Sequence, residues 1–215
     1  MLSDIKGPIA LAFSHQAEDI AVLHLTLACK PESLEVFTLD TGKLFPETLS
    51  FHDEAEKFFG ISIIKYRPEP DELRTLENKL GPWGMRESLE NRHLCCSVRK
   101  VIPLQKALKG KTAWITGLRA AQSVTRTDLK IREYDEANGL LKINPIAAWT
   151  DEQLSAYIRE NGLPIHPLYA KGFKSIGCEP CTRAVKEGED IRAGRWWWEN
   201  PEHKECGLHL KERKP

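Results

Sequence analysis

Short apolar runs alternate with stretches of helical spacing through the first 160 residues, and this alternation restricts the fold more than any other feature of the chain. Ile9-Ala10-Leu11-Ala12-Phe13 reads as a buried strand and Ser14-His15-Gln16 as a turn. Glu18 to Leu27, with Ile20, Leu23 and Leu27 at helical intervals, reads as a helix. Leu34 to Leu39 is a second strand, and Pro46 to Phe59 a helix opened by proline and stopped by Gly60. Ile61 to Tyr66, rich in β-branched residues, is a third strand. Asp71 to Lys79 and Ser97 to Leu108 read as helices, and Ala113 to Thr116 as a fourth strand. Leu140 to Ile143 is expected to pair with Lys130 to Tyr134 across the Asn138-Gly139 turn. Asp151 to Glu160 is a helix capped by Thr150 and stopped by Gly162. Strands joined through helices run parallel, so the pattern predicts an α/β fold with a Rossmann-like, doubly wound, mostly parallel sheet. Such a sheet binds ligands beyond the carboxyl ends of its strands, here the loops after Phe13, Leu39 and Thr116.

From Asn161 onward Gly, Pro and Trp become frequent and no strand is evident. The expected organisation is an α/β domain over residues 1–160 and a C-terminal cap over 161–215, together one structural domain. A chain of 215 residues buries enough surface to need no disulfide staples. Thirty-one basic residues balance thirty-one acidic ones, which argues against a bulk nucleic-acid binder. No apolar run approaches the roughly 20 residues of a membrane span. The start, Met1-Leu2-Ser3-Asp4, lacks the charge and cleavage pattern of a signal peptide, so a cytoplasmic location is expected.

A reducing cytosol keeps the six cysteines as thiols. Cys178-x-x-Cys181 can bite one metal centre, and Cys95-Cys96 forms an adjacent pair. Adjacent side chains diverge, which suits separate irons of a [4Fe–4S] cube better than one tetrahedral zinc. A structural zinc site and unrelated buried thiols are the alternatives. Cys206, in Glu205-Cys206-Gly207-Leu208-His209, is either an idle surface thiol or a nucleophile on a tail. His203, Lys204 and His209 could favour its thiolate. Cys29 reads as a core or helix-end thiol.

Anion-handling candidates gather at the same sheet edge. Ser14 lies at a strand–turn–helix junction, where backbone N–H groups and the helix dipole favour an anion; a capped helix start is the plain alternative. Arg119 follows the fourth strand directly, and its forked guanidinium suits phosphate or sulfate. Lys100 lies about one helical turn beyond Cys96. Arg192 and Arg195 precede Trp196-Trp197-Trp198, which pack within the cap or cover a ligand or subunit surface. Each basic residue taken singly could equally be a solvated charge.

Taken together these motifs resemble the assimilatory adenylyl-sulfate (APS) reductases, the iron–sulfur branch of the phosphoadenylyl-sulfate (PAPS) reductase family. The resemblance spans about Ile9 to His209. It rests on Leu39-Asp40-Thr41-Gly42, on Gly117-Leu118-Arg119 with Gln122-Ser123, and on Ser175 through Arg183. Gly194-Arg195-Trp196-Trp197-Trp198-Glu199 and Lys204 through His209 complete it. It implies an adenine nucleotide alpha hydrolase-like fold with residues 1–160 as the nucleotide-binding domain. The implied activity is reduction of APS to sulfite and AMP in sulfate assimilation, with Cys206 attacking sulfur to give an S-sulfocysteine. Thioredoxin or glutaredoxin would be the reductant partner, and a homo-oligomer the expected assembly, with no nucleic-acid or membrane partner. Cys95, Cys96, Cys178 and Cys181 match the ligands of a [4Fe–4S] cluster, and Ser14, Lys100, Arg119, Arg192 and Arg195 the substrate-binding residues. His15 stands where relatives tend to carry Gly, and Ala120-Ala121 where polar residues often follow the Arg. The nearest rival is a PAPS or dual APS/PAPS reductase. Rivals of other classes are an ATP-using adenylating or RNA-thiolating enzyme and a non-enzymatic iron–sulfur or zinc redox sensor.

Overall fold

The computed structural model describes residues 2, 4–122 and 128–200. Six strands, β1 (Ile9–Ala12), β2 (Leu34–Leu39), β3 (Ile64–Tyr66), β4 (Ala113–Ile115), β5 (Arg132–Asp135) and β6 (Leu140–Ile143), form one sheet in the order β3-β2-β1-β4-β6-β5. All pairs are parallel except β5–β6, the edge hairpin closed at Asn138-Gly139. The mostly parallel α/β sheet is thus the one expected from the alternation.

Alternating residues of β1 feed two cores. Ile9 and Leu11, with Phe13 just beyond, pack with Ile20 and Leu23 of helix α1 (Ala17–Ala28), Phe51 of α2 (Pro46–Phe59) and Leu154 of α6 (Asp151–Glu160). Ala10 faces the other side with Phe37, Trp114 and Leu104 of α5 (Ile102–Leu108). Small Ala side chains there leave room for the Trp114 indole, which is 1% exposed. α6 begins with a full capping box between Thr150 and Gln153, which satisfies two otherwise open donors.

Two local expectations are corrected. The third strand begins at Ile64, not Ile61, because the Ile63 amide donates to Glu56 Oε1 at 2.6 Å and leaves the sheet ladder. The helix expected from Ser97 has a longer origin: α3 (Pro70–Leu80) is followed by α4 (Leu89–Cys96), a wide π turn over Ser97–Val101, and then α5. Pro103 explains the widening, since it lacks the N–H that an ordinary helix would offer to the Arg99 carbonyl. The cap rests on the loop after β2 through the Leu44–Cys178 bridge and a hydrogen bond from the Glu179 amide to Lys43 O at 2.8 Å.

Candidate active site

β1 lies between β2 and β4, so the chain's crossovers leave it in opposite directions and open a crevice at its carboxyl end. A cleft of about 190 Å³ occupies that place. Phe13 and Ser14 after β1, Leu39 at the end of β2 with Thr41 beyond it, and Thr116 and Gly117 after β4 form its floor. The cap closes it with Ile176, Gly177, Cys178, Arg192, Arg195 and Trp196, and Lys100 reaches in from the π turn.

Ser14 lines the cleft, but its donors are engaged. Its amide donates to Asp19 Oδ2 at 2.6 Å and its hydroxyl to the same oxygen at 2.5 Å. Burial pushes the Asp19 carboxyl up to about 6, against these hydrogen bonds, which lower it. The next residue, His15, has φ of 66°, the left-handed region that favours Gly. Its ring is buried, sits edge-on to Phe13 and lies 3.1 Å from His52 Nδ1. Burial, then the neighbouring His52 and His166, hold His15 neutral with its pKa lowered to about 3.

The basic wall stands on the cap side. Arg195 lies 4.6 Å from the centre of the Trp196 ring, as does Arg92, which pairs with Glu199 at 2.6 Å. A Cβ at Gly177 would come within 2.3–2.5 Å of the Arg195 guanidinium, so only glycine lets it settle there. Among the described residues, Arg195 Nε is one of few buried side-chain nitrogens lacking a hydrogen-bond partner. Arg192 reaches the same Trp196 ring at 5.8 Å. Arg119 is placed differently from this group. It is 1% exposed, pairs with Glu18 and Asp151 at 2.7 Å each, donates to the Trp149 carbonyl, and does not line the cleft.

Cys95, Cys96, Cys178 and Cys181 converge on one gap, shared with Lys100, Arg99 and Arg195. Among the described residues, no three of these thiols lie within 4.8 Å of one another. A tetrahedral zinc with bonds of about 2.3 Å needs sulfurs roughly 3.8 Å apart, so the set is too open for a single zinc ion. It fits a larger metal cluster with one thiolate on each of several metals. Cys178 accepts or donates a bond with Thr41 Oγ1 at 3.2 Å. Burial raises its pKa, but Lys100, the Thr41 hydroxyl, Arg195 and Arg99 outweigh burial and hold it below the ordinary thiol value. Burial pushes Cys181 up to about 11.

The structure thus brings together Ser14, Lys100, Arg192, Arg195 and the four cysteines, and leaves Arg119 in a buried ion-pair network. Cys206 and Ser123 lie outside the described residues, and Cys29 is exposed. Sequence reasoning missed Arg99, which donates to Thr41 O at 2.7 Å and pairs with Glu77 at 2.6 Å. It also missed the His15–His52 pair and the Asp19 carboxylate. Arg99 lies one turn beyond Cys95 and so was discoverable; the other contacts join residues whose partners no local pattern marks.

Fold and cleft together define the class: an α/β protein of the adenine nucleotide alpha hydrolase-like kind, with cysteines and basic groups at its switch point. The phosphoadenosine phosphosulfate reductase domain model matches residues 8–184. A protein of Allochromatium vinosum named adenosine 5'-phosphosulfate reductase is 50% identical over 209 residues, 96% of this chain and 80% of that protein. A protein of the same name from Agrobacterium fabrum is 53% identical over 177 residues, 82% of this chain and 68% of its own. The solved phosphoadenylyl-sulfate reductase of Candida auris superposes with a TM-score of 0.68 at 27% identity, covering 85% of this chain and 86% of its own. An FMN adenylyltransferase of Candida glabrata shares the fold alone, with a TM-score of 0.58 at 17% identity, covering 99% of this chain and 70% of its own. The chain belongs to the phosphoadenosine phosphosulfate reductase family.

Proposed function

We propose that this protein reduces adenylyl sulfate to sulfite and AMP in sulfate assimilation, using thioredoxin or glutaredoxin as the reductant in the cytoplasm. The observation that carries this reading is the meeting, at the switch-point cleft, of a basic wall and a four-thiol set in a chain about 50% identical to named adenosine 5'-phosphosulfate reductases.

The thiolate of Cys206 attacks the sulfonyl sulfur, an S–S bond forms, and the S–O bond to the phosphate breaks. Both electrons of the broken bond leave with AMP. A reduced dithiol partner then attacks Cys206 Sγ, which expels sulfite with the electron pair of the S–S bond. The mixed disulfide resolves through the partner's second thiol, so the partner is oxidised and Cys206 returns as a thiol. Nucleophile and substrate are both anionic, and the positive wall offsets their repulsion. Arg195, Arg192 and Lys100 also hold the phosphate as charge accumulates on it. Arg195 is best suited, because the Trp196 face and the space left by Gly177 fix its guanidinium. Arg119 acts through Glu18, fixing the start of α1 under the cleft.

Cys95, Cys96, Cys178 and Cys181 would hold a [4Fe–4S] cluster. When bound, the cluster supplies a covalent tie between α4 and the cap, and a local charge beside Lys100.

The test is direct. The anaerobically purified protein is given radiosulfur-labelled adenylyl sulfate, then reduced thioredoxin. Label on the protein that is chased into sulfite, and is lost in Cys206→Ser but kept in Cys29→Ser, is the expected result. Failure to take up label refutes the reading, and a clear preference for PAPS over APS in turnover refutes the substrate assignment.

A further inference from the structure

A strand–turn–helix junction at a switch point normally offers its backbone donors to a phosphate. Here the donors of Ser14 face a carboxylate, and the Ala17 amide that opens α1 donates to the Tyr169 hydroxyl. Ser14 N and Ser14 Oγ both donate to Asp19 Oδ2, at 2.6 and 2.5 Å, and the Gly117 amide after β4 also donates to Asp19. A Cβ at Gly117 would stand 2.2 Å from Asp19 Oδ1, so the glycine is what allows the carboxylate to fit so closely. Asp19 is only 6% exposed and lies in the first turn of α1, where the helix dipole favours negative charge. The carboxylate therefore occupies the position that an anionic ligand would take between the ends of β1 and β4. Its neighbour Glu18 also lines the cleft and is held by Arg119. Of the cleft's positive groups, Lys100 and Arg195 stand beside the cysteines instead, and Arg192 lies near them against the Trp196 ring.

We propose that Asp19 determines specificity by limiting the length of the anionic tail: it fills the cradle between β1 and β4, so the cleft takes adenylates with a short tail and excludes a triphosphate. A long tail would have to displace the carboxylate or lie against it, and like charges in contact are costly when desolvated. The same carboxylate leaves Ser14 to shape the cradle rather than to bind the substrate's phosphate. This inference rests on the reading of the cleft as an adenylyl sulfate site.

Titration calorimetry of the full-length protein with AMP and with ATP, in magnesium-free buffer, separates the two ideas. In the wild type, ATP is expected to bind at least about tenfold more weakly than AMP. Asp19→Ser, which opens the cradle and supplies a hydroxyl donor in place of the carboxylate, narrows that gap about tenfold. Asp19→Asn, which keeps the shape and removes the charge, narrows it in the same direction and serves if Asp19→Ser does not fold. Wild-type protein that binds ATP as tightly as AMP overturns the proposal. So does an ATP-to-AMP ratio unchanged in the folded variants. Wild-type protein that binds neither AMP nor adenylyl sulfate overturns the functional reading itself, and the specificity inference with it.

Discussion

Gly177→Ala adds one carbon, and its effect on turnover can be worked from the geometry. The new Cβ would lie 2.3 Å from Arg195 Nη1 and 2.5 Å from both Cζ and Nη2. Ordinary contact is about 3.4 Å, so the guanidinium must retreat by roughly one ångström. It cannot retreat toward the Trp196 ring, which already lies 4.6 Å from the guanidinium. Gly177 is not at positive φ, so alanine brings no backbone strain of its own. A misplacement of about 1 Å in a charge-stabilising group costs about 10²-fold, or roughly 2.7 kcal/mol of barrier. The assay is sulfite release from adenylyl sulfate with reduced thioredoxin, fitted for kcat and KM, with a thermal melt to confirm folding. The loss should fall on kcat. The double variant Gly177→Ala/Arg195→Ala should be no slower than Arg195→Ala alone, since both act on one group. A folded Gly177→Ala protein with wild-type kcat, or additive losses in the double variant, would refute the reasoning.

Three further outcomes are expected. Arg119→Ala should lower stability by about 3–5 kcal/mol in urea unfolding, because it strands the buried Glu18 carboxylate; an unchanged midpoint would show the network to be unimportant. His15 is held neutral by burial with its pKa at about 3, so its folded value lies below its unfolded value of about 6.5; protonation then favours the unfolded chain as the pH falls. Between pH 7 and 5 this group removes about 2 kcal/mol, and His15→Gly, which suits the left-handed backbone, should show a correspondingly smaller acid loss in urea titrations at the two pH values. With the four thiols holding an iron–sulfur cluster as proposed, Cys181→Ser should abolish its visible absorption in anaerobically purified protein and lower the melting temperature, whereas a brown variant with full iron content would remove Cys181 from the ligand set.

Local chemistry made much of the molecule legible. The helix over Pro46–Phe59 has the bounds that its opening proline and Gly60 announce, and the Thr150 cap opens Asp151–Glu160 as its side chain requires. The loops after β1, β2 and β4 meet at the cleft because a parallel sheet aligns its carboxyl ends. α4 was not legible, and the reason is physical. Its sequence, Leu89-Glu90-Asn91-Arg92-His93-Leu94-Cys95-Cys96, shows no apolar stripe, because its buried positions are Arg92 and Cys96. Arg92 packs on the Trp196 ring and pairs with Glu199, both more than a hundred residues away.

By itself, then, the sequence determined the parallel sheet, the edge at which ligands gather and the thiols grouped with basic residues near it, since those follow from periodicity, turn residues and short spacings. Tertiary structure decided which charges are available there. Arg119 and Arg195 are alike as residue types, and each follows its own short motif. One is neutralised by Glu18 and Asp151, while the other lies against Trp196 and Gly177 at the cleft. Asp19 reads along the chain as an ordinary first-turn acid. Only the approach of Gly117 from β4 makes it an internal anion in the cradle. The strength and accessibility of a charge depend on its partners across the fold, and the local sequence does not carry those partners.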